Sequence, residues 1–172
     1  MIKKIPTNTK YFHFYNANPK GKRASDCVVR AISKATEVSS TRRNDGCLPK
    51  QPSKDWDSVL DDLIVFSHKY KVMPNEKACY GKYLESIGFS KENQPKYEDL
   101  NGMITKYTGE EFCDFLNRKS KATGLVYSVV AHIGTHHIVA IMFDEEKQTY
   151  KVFDTWNSSK KIIGNYWIKE RR

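Results

Sequence analysis

The sequence has no run of apolar residues close to the roughly 18 needed to span a bilayer, and its opening, MIKKIPTNTK, lacks the apolar stretch of a secretion leader. Both absences lead us to expect a cytoplasmic protein with no membrane partner. A CxxC pair is also missing. The four cysteines, at 27, 47, 79 and 113, are separated by 20, 32 and 34 residues, which excludes zinc-ribbon and thioredoxin spacings and leaves free thiols as the default reading. His132, His136 and His137 lie close together, but no fixed ligand spacing joins them to a cysteine. No metal or other cofactor is therefore expected. Internal repeats are absent too.

What is present is the composition of a globular chain. Of its 172 residues, 39% are hydrophobic, 12% aromatic and 28% charged, enough for one ordinary domain with a real core. We expect a single domain over 1–172. The net charge of +9 is uneven. The first thirty residues hold seven Lys or Arg against Asp26, the last sixteen hold five against Glu170, and the stretch between carries a net −1. Basic ends suit an anionic partner, and Tyr11, Phe12, Phe14 and Tyr15 in the N-terminal arm could stack on single-stranded nucleic acid. Two solvated basic tails explain the same pattern.

Residues 11–24, YFHFYNANPKGKRA, read as the end of an extended arm of about 1–24 leading to the first helix. Ser25 or Asp26 can cap that helix, and Val28, Ala31, Ile32 and Ala35 recur at helical spacing to about 37. Residues 38–54 lack periodicity and read as a loop insertion with Cys47 exposed. A second helix starts after Asp55, with Trp56, Val59, Leu60, Leu63, Phe66 and Tyr70 on its stripe. A third spans about 76–87 and ends at Gly88. Thr108 and Glu111 form a T-x-x-E capping box for a fourth.

Beyond Gly124 the segments LVYSVVAHI, HHIVAIMF and QTYKVFDTW are rich in β-branched and aromatic residues, as strands are, and IIGNYWI adds a further candidate. The middle segment is apolar at both parities and so should be covered on both faces. Helices followed by an antiparallel sheet give the α+β class.

Cys27 stands at the start of the first helix, where unpaired N–H groups and the positive end of the helix dipole favour a thiolate. Catalysis also needs a base, a group to hold that base, and donors for the oxyanion. A two-residue turn at Glu145-Glu146 pairs Asp144 with Lys147 and sets His137 opposite Asp154, close enough for a carboxylate to orient an imidazole. The parity that selects His137 turns His136 away, although a slip of one residue would reverse them. Taken singly each residue has an ordinary explanation: a small hydrophobe for Cys27, a turn former for Asp154.

The segments NANPKGKRASDCVVRAISKAT, DWDSVLDDL, MPNEKACYGKYLESIGF, HIVAI, FDTWNSS and GNYW together resemble a family of small, largely uncharacterised proteins of bacteria, phages and mobile elements with a papain-like cysteine peptidase fold. The resemblance covers most of the chain. It departs from the family pattern in the longer 38–54 segment and in having two histidines, His136 and His137, where one is expected. It implies a papain-like fold with the Asp-Cys-x-x-Arg-Ala-Ile, His-x-x-Ala and Asp-Thr-Trp motifs falling on Cys27, His137 and Asp154.

The expected activity is a cysteine hydrolase, peptidase-like or amidase-like, that forms a thioester on a protein or peptide substrate. The Cys27 N–H would be one oxyanion donor, and a polar side chain of the 16–25 loop the second. The rival expectation is a non-catalytic protein that keeps the peptidase fold and grips a host protein or nucleic acid through its basic ends or the 38–54 loop.

Overall fold

A computed structural model of the protein describes residues 4–23, 25–37 and 54–171. Cys47 and the insertion expected over 38–54, except Lys54, lie outside those residues.

The strand that is apolar at both parities is β6 (His137–Asp144). It is buried on both faces from Ile138 to Met142. With β1 (Phe12–Phe14), β2 (Ser90–Glu92), β5 (Val126–Ile133), β7 (Thr149–Asp154) and β8 (Ile163–Arg171) it makes a six-stranded sheet in the order β1-β7-β6-β5-β8-β2. A separate hairpin pairs β3 (Lys96–Glu98) with β4 (Ile104–Lys106). The class is α+β, as expected. The sheet is mixed, however, because β1 runs parallel to β7. The arm that reads as extended is thus partly a strand, and Phe12 is fully buried in it.

Alternation along the strands divides the core in two. Val130, Ile138, Ala140, Met142, Phe153 and Trp167 face α1 (Cys27–Ala35), α2 (Trp56–Tyr70) and α3 (Lys77–Ser86). Val129, Ala131, Val139, Ile141, Tyr150 and Val152 face α4 (Gly109–Thr123) on the other side. Each fully buried Val, Ile or Met among them is worth about 1.5–3 kcal/mol, so both layers hold β6 at the centre.

The helix ends follow the sequence signals, with one exception. Asp55 caps α2 by accepting from the Ser58 N–H at 2.9 Å, and Thr108 and Glu111 bond reciprocally at the start of α4. Asp26 occupies the N-cap position of α1, yet its side chain makes no capping bond.

The β6–β7 hairpin also differs from expectation. Asp144 pairs with Thr149 rather than Lys147, so the turn is the four residues 145–148, with Gln148 left-handed at φ +52°. The Asp144 carboxylate closes it, accepting from the Glu146 and Lys147 N–H groups. Every partner moves by two residues, which preserves parity. Continuing the observed register sets His137 opposite Trp156 and diagonal to Asp154.

Downstream of β7, the 158–161 loop is clamped to the start of α4. The Gly109 N–H donates to the Lys161 carbonyl and the Glu110 N–H to the Ser159 carbonyl. A Cβ on Gly109 would lie 2.7 Å from the Ser159 oxygen, so Gly109→Ala should lower stability by about 1–3 kcal/mol in urea unfolding. Unchanged stability would mean that the loop is not tightly docked there.

Candidate active site

The first helical residue of α1 is Cys27, a free and partly buried cysteine. The first N–H groups of a helix have no partner within it. A capping carboxylate would take one of them, but Asp26 is turned elsewhere. It is buried, pairs with the buried Arg30, and accepts from Asn18 Nδ2 at 2.8 Å and Trp56 Nε1 at 3.0 Å. The N–H of Val28 is thereby left to favour a thiolate on Cys27, and the N–H of Ile138 in β6 acts in the same direction. Ser25, two residues before the cysteine, is held left-handed at φ +65°, a conformation that costs a non-glycine residue energy and is found at functional turns.

His137, the first residue of β6, supplies the imidazole. Its Nε2 lies 2.7 Å from Asp154 Oδ2, which leaves Nδ1 for the thiol. Asp154 ends β7 and is held from several sides. It accepts from Ser158 Oγ at 2.7 Å and from the Thr155 N–H at 2.6 Å, while its carbonyl accepts from the Tyr15 N–H at 2.8 Å. The Trp156 ring packs beside the His137 ring at 5.3 Å, centroid to centroid.

The electrostatics favour charge separation. Burial works against a Cys27 thiolate, but the hydrogen bond from His137 and the N–H groups of Ile138 and Val28 outweigh it and lower the thiol pKa. Burial likewise opposes a charged His137. The hydrogen bonds to Asp154 and Cys27 prevail and push its pKa up to about 9. The two shifts reinforce each other toward a thiolate–imidazolium pair.

The structure therefore brings Cys27, His137 and Asp154 together. It separates the other imidazoles from them. His136 is exposed in the β5–β6 turn, and His132 points to the α3 side, where its Nε2 lies 2.7 Å from the Tyr80 hydroxyl. Among the described residues no three His, Cys, Asp or Glu side chains converge as metal ligands, and no helix is long and apolar enough to cross a membrane.

Among the described residues of the 16–25 loop, both side-chain amides donate elsewhere. Asn18 donates to Asp26, and Asn16 donates to the Lys22 carbonyl at 3.0 Å. Of the arm aromatics that could stack on bases, Phe12 is buried, Tyr15 packs edge-on against Phe153, and the Tyr11 hydroxyl donates to Asp114.

Several contributors escape sequence reading. Arg30 falls on a face other than the apolar stripe by helical spacing, where a surface charge is expected, yet it is buried and feels the charge of Asp154. Trp156 belongs to the Asp-Thr-Trp motif and Ser158 follows it two residues later, but the turn-like composition of the segment does not tell what either side chain does.

Alkylation by iodoacetamide should show Cys27 reacting well below the unperturbed thiol pKa of about 8.5, and His137→Gln should return its profile to that value. A wild-type rate that rises only near the unperturbed value would contradict the pairing. The raised His137 pKa also has a sign for stability: its contribution is complete below the ordinary 6.5 and is lost as pH rises through about 9. Unfolding measured across that window should therefore show a loss that His137→Gln abolishes.

No family model, curated protein or solved structure matches this chain.

Proposed function

We propose that the protein is a cysteine hydrolase of peptidase or amidase type with a papain-like fold, acting through Cys27, His137 and Asp154. One observation carries the reading: a single imidazole, bonded to a buried carboxylate at 2.7 Å, that interacts electrostatically with a thiol at a helix N-terminus. The fold assignment is supported by the arrangement around it, a cysteine-bearing helix packed on a sheet with the histidine and aspartate at neighbouring strand ends.

In this mechanism the Cys27 thiolate attacks the acyl carbon of an amide. The carbon–sulfur bond forms and the carbonyl π pair moves onto oxygen, where the N–H at the start of α1 can stabilise it. As the tetrahedral intermediate collapses, the C–N bond breaks and His137 gives its proton to the departing amine. Water then loses a proton to His137 and attacks the thioester, releasing the acid and restoring the thiolate. Asp154 keeps the imidazole in the orientation and tautomer that both steps need. Protein or peptide acyl groups are the substrates this chemistry suits.

Brief exposure to p-nitrophenyl acetate should leave an acetyl group on the peptide containing Cys27, visible by mass spectrometry, and Cys27→Ser should abolish it. Asp154→Asn should slow turnover of the same ester by a factor on the order of 10²–10⁴, through loss of the charge that holds the imidazolium. Equal acetylation in the Cys27→Ser protein would rule out this nucleophile.

A further inference from the structure

On the face opposite α4, a second polar pair lies in the core layer against which the cysteine packs. Strand β8 bulges against β5 between the pairings of Ala131 and Ile133, and the residue opposite the irregularity is His132. Gly164 makes room for it, since a Cβ there would sit 2.9 Å from the His132 Cβ. Bulges of this kind re-aim a side chain. Here the imidazole is directed at α3, where its Nε2 meets the Tyr80 hydroxyl at 2.7 Å, and both rings pack against Trp167.

The register fixes where this pair lies. His132 is directly opposite Ile138, so the two share a face, and Ile138 is the residue whose N–H favours the Cys27 thiolate. Tyr80 and Cys27 pack into the same core layer. Burial and the negative charge of Cys27 both raise the Tyr80 pKa, which keeps the phenol protonated and within electrostatic reach of the sulfur. His132 is held neutral by burial and by the nearby charges of Lys77 and His136.

A phenol can donate one hydrogen bond and accept others. Among the described residues His132 is the one side chain bonded to the Tyr80 hydroxyl. The Tyr80 side chain is buried, and when the neutral imidazole donates from Nε2 the phenol proton is free to turn away from the imidazole. We propose that the Tyr80 hydroxyl, positioned by His132, is the second donor to the oxyanion formed when Cys27 attacks an acyl group. The proposal rests on the nucleophile assigned above. It supplies a donor from α3, with the α1 N–H as the first.

Two reagents separate this role from an effect on the thiolate. Iodoacetamide reacts by displacement: the C–S bond forms as iodide leaves, and no oxyanion arises. With p-nitrophenyl acetate the thiolate adds to the carbonyl, the π pair becomes an oxyanion, and collapse expels p-nitrophenolate and leaves the acetyl thioester. Tyr80→Phe keeps the ring that packs on Trp167, and it should slow acetylation on the order of a hundredfold while leaving alkylation within about twofold of wild type. His132→Gln should slow acetylation less, because its amide can still hold the phenol, again with alkylation unchanged; it carries the same reading should Tyr80→Phe fold poorly. Wild-type acetylation in both variants would overturn the proposal, as would acetylation and alkylation falling together. Failure of the underlying nucleophile would look different: wild type and Cys27→Ser would then alkylate alike below the unperturbed thiol pKa of about 8.5.

Discussion

The beginning of α1 and the beginning of β6 arrive at one point, and everything at the site depends on that coincidence. The helix packs through Val28, Val29, Ala31 and Ile32 onto the sheet face that carries Ile138, Ala140 and Met142. His137, by the alternation of its strand, belongs to the parity of the opposite face, with Val139 and Ile141. A thiol above one face and an imidazole of the other cannot meet over the middle of a sheet. They meet at its end, where the strand has just begun and the backbone N–H of Ile138 also favours the thiolate. The two core layers clamp β6 between α1 and α4, and so fix the height at which this happens.

A buried ion pair sets the direction of the helix start. Asp26 and Arg30 are both almost fully covered. Removing water from two charges is repaid only when geometry and additional hydrogen bonds are good. Asn18 and Trp56 provide such bonds to Asp26, and they tie the 16–25 loop and α2 to the residue before the nucleophile. The same arrangement deflects the carboxylate from capping α1, which leaves positive N–H groups for the sulfur instead of neutralising them with a negative charge one residue away. Arg30 in turn lies near enough to Asp154 to feel its charge, so the polar layer beneath the site is continuous from the nucleophile's neighbour to the carboxylate that orients the base.

The elements and the choice of imidazole were legible because they depend on local signals. Periodicity marks α1 and α2, the Thr108–Glu111 box marks α4, and apolar residues at both parities mark β6 as central. The hairpin register was not legible. Glu145, Glu146, Lys147 and Gln148 include no Gly or Asn to announce a left-handed position, which Gln148 nonetheless adopts. A four-residue turn in place of two moves the pairing by an even number, so the side-chain parity of His137 and Asp154 survives the error. Arg30 resisted reading because its burial follows from an ion pair within one helical turn. The pairing of Tyr80 with His132 resisted it for another reason: it joins α3 to a bulge in the sheet, and neither the packing of that helix nor the position of the bulge leaves a mark in the spacing of residues.

The account turns on the charge state of one imidazole. Nuclear magnetic resonance titration of the His137 ring in the intact protein reads it directly. The account predicts a pKa of about 9 in the wild type and a fall in Cys27→Ser, where the thiolate's contribution is gone. A His137 that titrates in the wild type near the unperturbed histidine value of about 6.5, unaffected by removal of the thiol, would contradict it.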